Sequence, residues 1–147
     1  MRLCAHGGLQ VHAENFWYTY APVVQWVSIC MMLTLSVIHD LNMTSIDFAL
    51  EFPQSETDRT IYMEVWVPIG YEVAEGDYVC LLLKNHYGLK QAAKTWFELL
   101  KDDLILSEDK GGYGFQLSLI DPCVFYKEGI TMISWVEILW SSPKIRV

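Results

Sequence analysis

Apolar positions recur along this chain in two rhythms, one helical and one alternating, and each predicts its own elements. From Ala21 to Ile38 no residue is charged, and Pro22 suits a first helical turn, so Val23 to His39 reads as one helix, apolar on nearly every side and buried in a core. Between Lys90 and Leu106 the apolar residues Ala92, Ala93, Trp96, Leu99, Leu100, Leu104 and Ile105 fall at helical spacing, with Lys and Asp on the outer face. Met43 to Ala49 reads as a short strand on which Ile46 and Phe48 face one way and Asp47 the other. Ile61 to Val67 alternates until Pro68 and Gly70 break it, and Val79 to Leu83 offers a partner for a hairpin. Pro122 opens a further strand from Cys123 to Tyr126, and Glu128-Gly129 turns it into a strand over Ile130 to Leu139, a second hairpin. The first twenty residues are irregular and read as a loop or edge strand, and residues 53–59 read as a turn.

Helix, strand, hairpin, helix and hairpin in that order predict an α+β fold, an antiparallel sheet with helices packed on one face. No repeat, low-complexity tract or linker interrupts residues 1–147, so one domain is expected.

Composition sharpens this reading. With 52% apolar and 14% aromatic residues, the chain has enough material for a real core and is no disordered tail. The net charge of -8 is concentrated: from Asp40 to Asp77 there are nine acidic residues against Arg59 alone, and the rest of the chain carries nine of each sign. Lys and Arg supply most of the affinity for phosphate backbones, so this balance argues against tight nucleic-acid binding by the chain alone. The four cysteines, Cys4, Cys30, Cys80 and Cys123, are widely spaced, contain no CxxC pair and follow no secretory signal, which predicts free thiols in an intracellular protein. Cys4, His6 and His12 do not match a common zinc spacing. The uncharged run 21–38 also meets the length of about 18 residues at which a membrane helix is suspected. Gln25, Ser28, Thr34 and Ser36 within it, and flanks without a Lys or Arg cluster, favour a globular core instead.

The chemistry-bearing segments are more specific. Residues 87–98 read Tyr87-Gly88-Leu89-Lys90-Gln91-Ala92-Ala93-Lys94-Thr95-Trp96-Phe97-Glu98. Tyr20-Ala21-Pro22-Val23-Val24 stands upstream, followed by Ile46-Asp47 with Phe52, Ile61-Tyr62-Met63-Glu64, Val79-Cys80 with Leu82 and Lys84, and Asp121-Pro122-Cys123-Val124-Phe125-Tyr126. In that order these pieces resemble YGLKQAPRAWY, FAPVV, LDVKTAFL, IYMEQPPGF, VCRLKKSLYGLKQ and DPCLFYK of the copia-type retrotransposon reverse transcriptases. Arg2-Leu3 with Ala5, Gly7 and Gln10 is faintly similar to RLVARGFTQ.

The resemblance covers nearly the whole chain and implies the fingers and palm region of an RNA-directed DNA polymerase, part of a Pol polyprotein, with no counterpart to thumb, connection or ribonuclease H. It implies a template-primer of RNA or DNA and a dNTP as partners, and Mg2+ or Mn2+ as cofactor. Polymerase chemistry needs two divalent ions held about 4 Å apart by converging carboxylates. The resemblance assigns Asp47 as one metal ligand and catalytic residue, and places Glu137 where the first Asp of the family's YVDD turn stands. Ile138 then occupies the second Asp position and has no atom that can bind a metal. Glu137 adds a methylene, a displacement of about 1.5 Å, where roughly 1 Å of misplacement can cost a hundredfold in rate. The resemblance assigns Gly88, Lys90, Gln91 and Lys94 to nucleotide and template binding, with Ala93 in place of the family's Pro and Lys94 in place of its Arg, a change that loses bidentate phosphate recognition.

The expectation is therefore a truncated polymerase domain with little or no activity. A non-enzymatic interaction module that keeps part of the fold is the alternative, and a small membrane protein built on residues 21–38 is the third.

Overall fold

The computed structural model describes residues 4–64 and 79–134 together with the backbone of 138–143. In chain order its elements are α1 (Trp26–Ile38), β1 (Leu41–Ile46), α2 (Glu51–Gln54), β2 (Glu56–Glu64), β3 (Val79–Lys84), α3 (Ala92–Ile105), β4 (Gln116–Leu117), β5 (Val124–Lys127), β6 (Ile130–Ser134) and β7 (Ile138–Pro143). They fall into two compact units, Met1–Tyr20 with Leu50–Trp96 and Ala21–Ala49 with Phe97–Val147. The mixture of helices and antiparallel sheet is the α+β class that the element order predicts.

The first unit is built on the antiparallel ribbon of β2 and β3, in which Ile61 faces Leu82 and Glu64 faces Val79. Its core gathers Ile61, Leu89 and Ala92, with Ala5, Phe52 and Leu82 against them. The ribbon matches the expected hairpin, but β2 begins at Glu56, inside the segment expected to turn. Burial along Glu56–Glu64 alternates strictly up to Ile61, so the period of two is present and is masked in the sequence by its polar residues. Arg59 shows how a charge is accommodated on the inner side. Its guanidinium lies 5.0 Å from the Trp17 ring centroid and donates to the carbonyls of Ala13 and Glu14.

The second unit carries a five-stranded antiparallel sheet in the order β1-β7-β6-β5-β4. The expected pairing of β5 with β6 is present, Phe125 opposite Met132. The single strand expected over Ile130 to Leu139 is two strands, since β7 folds back on β6 with Thr131 opposite Ser141. Residues 130–139 contain no Gly, Pro, Asn or Asp, so no strong turn residue marks where one strand ends and the next begins. One cluster joins Val24, Ile29 and Met32 to Cys123 and Ile133, and another joins Leu100 and Leu104 to Phe125 and Met132. Met132 and Ile133 are neighbours on β6, and successive side chains leave opposite faces of a strand. The expected arrangement of helices on one face therefore does not hold along β6, where Ile133 meets α1 and Met132 meets α3. Burial pushes the Cys123 thiol up to about 11, with the charge of Asp121 adding to it, and all four cysteines are free thiols.

α1 also departs from expectation. It buries only Ile29, Met32 and Ser36, one narrow stripe, while Val27 is 73% and Val37 82% exposed. Two of its polar side chains are satisfied within the helix: Thr34 donates to the Cys30 carbonyl at 2.8 Å, and Ser36 to the Leu33 carbonyl at 2.8 Å. Thirteen residues rise about 20 Å, well short of a hydrocarbon core of about 30 Å. Among the described residues no helix is long and apolar enough to cross a membrane, and the run 21–38 forms a helix only over Trp26–Ile38. Because Val37 contributes nothing to the buried stripe, Val37→Ser is expected to change stability by less than about 0.5 kcal/mol in chemical denaturation. A loss above about 1.5 kcal/mol would mean that this face is covered in solution.

Candidate functional site

Asp47 follows directly on the last residue of β1 and is exposed. β1 runs antiparallel to β7 with Leu41 opposite Pro143 and Ile46 opposite Ile138, and Ser134 at the end of β6 also pairs with Ile138. Ile46, Ile138 and Ser134 thus form one row across three strands, and the residue that follows Ile46 is Asp47. Residues 135–137 link β6 to β7, and Glu137 among them lies outside the described residues. The one backbone position of the expected metal turn that is described, 138, carries an isoleucine. Among the described residues no group of three His, Cys, Asp or Glu side chains is placed to hold a metal ion, and this includes Cys4, His6 and His12. One exposed aspartate does not make a two-ion site, so the residues described do not fit the ion pair that polymerisation uses.

The other four expected residues belong to the first unit. Gly88 takes φ +91°, a left-handed conformation that an L side chain rarely adopts. A Cβ there would overlap the Ala5 carbonyl oxygen, and one on Gly7 would overlap the Gly88 carbonyl oxygen. The two backbones touch because neither residue has a side chain, and the Ala5 N–H donates to the Tyr87 carbonyl at 2.7 Å. Leu89 turns inward to the core of the unit. Lys90 is exposed, but its ammonium donates to the Gln10 carbonyl at 3.1 Å and lies 4.8 Å from the Phe16 ring centroid. Gln91 is 0% exposed and accepts from Gln10 Nε2 at 3.0 Å. Lys94 is half-buried near the start of α3.

Beneath this turn lies a buried polar group. Asn85 Nδ2 donates to Ser55 Oγ at 3.1 Å and to Thr95 Oγ1 at 2.8 Å, and the Thr95 hydroxyl donates back to the carbonyls of Gln91 and Ala92. Three buried polar atoms lack a partner among the described residues: Asn85 Oδ1, His86 Nδ1 and Gln91 Nε2.

Gln10 and Asp121 are functional in the structural sense but are not marked as such by the sequence. Gln10 joins the N-terminal segment to Lys90 and Gln91 across 80 residues of chain. Asp121, 2% exposed, receives the Gln25 N–H at 2.9 Å, the Ser28 hydroxyl at 2.6 Å and the Cys123 N–H at 3.0 Å. It therefore caps α1 from a distance, at a helix whose own N-cap residue, Gln25, makes no side-chain cap and whose first turn has no acidic residue. Both residues lie in segments that resemble family motifs, which was the available signal, but pairings so distant in sequence leave no local pattern.

A family model described as reverse transcriptase (RNA-dependent DNA polymerase) matches residues 1–115. The chain is 34% identical over 127 residues to the retrovirus-related Pol polyprotein from transposon TNT 1-94 of Nicotiana tabacum, covering 86% of this chain and 9% of the relative. It is 31% identical over 125 residues to the corresponding polyprotein from transposon RE2 of Arabidopsis thaliana, and 30% identical over 125 residues to that from RE1 of the same plant. In both cases 84% of this chain and 8% of the relative is covered, so the chain spans less than a tenth of the length of these proteins. No solved structure matches. A match over most of the chain, together with the ordered motifs and the mixed fold that carries them, identifies this protein as a member of the copia-type reverse transcriptase family.

Proposed function

We propose that this chain forms fingers and palm portions of a copia-type reverse transcriptase whose metal centre is incomplete, so that it does not support RNA-directed DNA synthesis. The observation that carries the reading is the backbone pairing of Ile46 with Ile138, which sets position 138 opposite the last residue of β1, next in sequence to Asp47, and isoleucine has no ligating atom. Asp47 and Glu137 are the remaining carboxylates for Mg2+ or Mn2+, and polymerase chemistry asks for more than a pair of which one member is longer than aspartate. Gly88, Lys90, Gln91 and Lys94 form the segment that faces a dNTP and the template-primer. Two features weaken that contact: the net charge of -8, and the engagement of the Lys90 ammonium with Gln10 and Phe16.

Primer extension with Mg2+ or Mn2+ is expected to give no product above background, and template-dependent synthesis would overturn the reading. Metal binding separates the site from the rest of the enzyme. In a Mn2+ titration followed by broadening of the Asp47 resonance, the double variant Glu137→Asp with Ile138→Asp is expected to bind at least about tenfold tighter than the wild type, one well-placed carboxylate contributing on the order of 1.4 kcal/mol. Equal affinities would show that position 138 is not part of a metal site.

A second reading, a non-enzymatic interaction module, is favoured by the exposed apolar residues Trp26, Val27 and Val37 of α1. Light scattering distinguishes it, since a defined oligomer that dissociates on Val27→Asp would support a packed interface there.

A further inference from the structure

The turn before α3 contains a chain of amide contacts whose polarity follows from a single fixed donor. The Lys90 backbone N–H can only donate, and it meets Oε1 of Gln10 at 2.8 Å. That settles which end of the Gln10 amide is oxygen, although side-chain amides are otherwise hard to orient. Nε2 of Gln10 therefore lies on the far side, where it meets Oε1 of Gln91 at 3.0 Å. A primary amide nitrogen cannot accept, so the atom of Gln91 that faces it has to be the oxygen. Nε2 of Gln91 is consequently turned away from Gln10, and it is one of the buried atoms without a partner among the described residues. Gln10 is itself held at both ends of its backbone: its N–H donates to the Gly7 carbonyl at 3.1 Å, and its carbonyl accepts the Lys90 ammonium at 3.1 Å.

We infer that Gln10 is a positioning residue that fixes the Gln91 amide with its oxygen occupied and its nitrogen free, as a donor for an oxygen of a bound deoxynucleoside triphosphate. The inference rests on the reading of Gln91 as a nucleotide-facing residue. The donor is buried and has no partner among the described residues, a cost that an incoming oxygen acceptor removes. Because the nitrogen is covered, binding is coupled to a parting of the packing above it. Without Gln10 the amide of Gln91 would turn to serve whichever neighbour was available, and the donor would be lost to the ligand.

The test has two arms on the full 15N-labelled chain. The first reads the amide itself. In the wild type the side-chain NH2 protons of Gln91 are expected to exchange as an unbonded pair. In Gln10→Glu both oxygens of residue 10 accept, so Gln91 Nε2 turns toward it and one of its protons is expected to exchange about tenfold more slowly, as one hydrogen bond predicts. A Gln91 amide already protected in the wild type, or unchanged in the variant, would overturn the inference. The second arm titrates dATP with Mg2+, following backbone shifts of residues 85–95. Gln91→Ala and Gln10→Glu are each expected to weaken binding about tenfold, the equivalent of one donor. If only Gln91→Ala weakens it, the positioning role falls and the nucleotide reading stands. If dATP does not bind the wild type, or neither variant matters, the nucleotide reading and the ligand named here fall, while the exchange arm still decides the orientation of the amide.

Discussion

Gly88→Ala is expected to destabilise the protein by about 3 kcal/mol, the sum of a left-handed conformation costing roughly 1–2 kcal/mol and an overlap costing about 1–3 kcal/mol. Gly88 holds φ +91°, and its Cα faces the Ala5 backbone with no room for a methyl group. Neither strand of chain can yield easily, because the Ala5 N–H is bonded to Tyr87 and Leu89 is anchored in the core next door. The expected result is a thermal midpoint lowered by about 10 °C for a chain of this size, with the Ala5 amide losing its exchange protection first. Gly111→Ala is the control. That glycine has φ +86° but nothing within 4 Å of the position a Cβ would take, so only the conformational cost applies, about 1 kcal/mol. Equal losses at the two sites would show that the close approach of the Gly7 and Gly88 segments contributes nothing.

The second large effect belongs to Asp121. Asp121→Ala removes the acceptor of three donors and leaves the start of α1 without a counter-charge, a loss of about 3 kcal/mol by urea denaturation. The pH dependence gives an independent check. Burial pushes this carboxyl up, but the Ser28 hydroxyl and the N–H groups of Cys123 and Gln25 together outweigh it, and the pKa is held below the ordinary 3.8. A depressed folded value means that the unfolded chain takes up the proton first as pH falls. The stabilisation is therefore complete above about pH 4 and is lost as the pH drops through the folded value. Asp121→Asn should accordingly lie below the wild type at pH 7 and approach it near pH 2. If the two curves stay parallel through the acid limb, Asp121 is not the titrating cap described here.

The elements of this fold were legible in the sequence where one residue type recurs at one period. α3 is bounded within two residues of the expectation because its apolar face and its charged face are both written locally. The ribbon of β2 and β3 and the pairing of β5 with β6 were legible for the same reason, as short apolar runs between turn residues. α1 was located but its environment was misread: a charge-free helix looks buried on all sides, yet burial depends on what packs against it, and only Ile29, Met32 and Ser36 are covered. The start of β2 was hidden because Arg59, half-buried on the inner side of the strand, is held over the Trp17 ring, a contact between residues 42 positions apart that no local pattern records.

The candidate site divides along the same line. The identities on which the proposed chemistry rests, an isoleucine at 138 and the Gly88, Lys90 and Gln91 run, are properties of the sequence and needed no coordinates. Family membership was likewise determined there, since ordered motifs survive substitutions that scatter among them. Only the folded chain decided that Ile138 is paired with Ile46, that Gly7 and Gly88 meet backbone to backbone, that Asp121 closes α1, and that the Gln10 amide donates to the oxygen of the Gln91 amide. Each of these joins residues some eighty or more positions apart in the chain. Contacts of that range are made by the packing of the unit as a whole, whereas residue spacing records only what a helix or a strand does with its own neighbours.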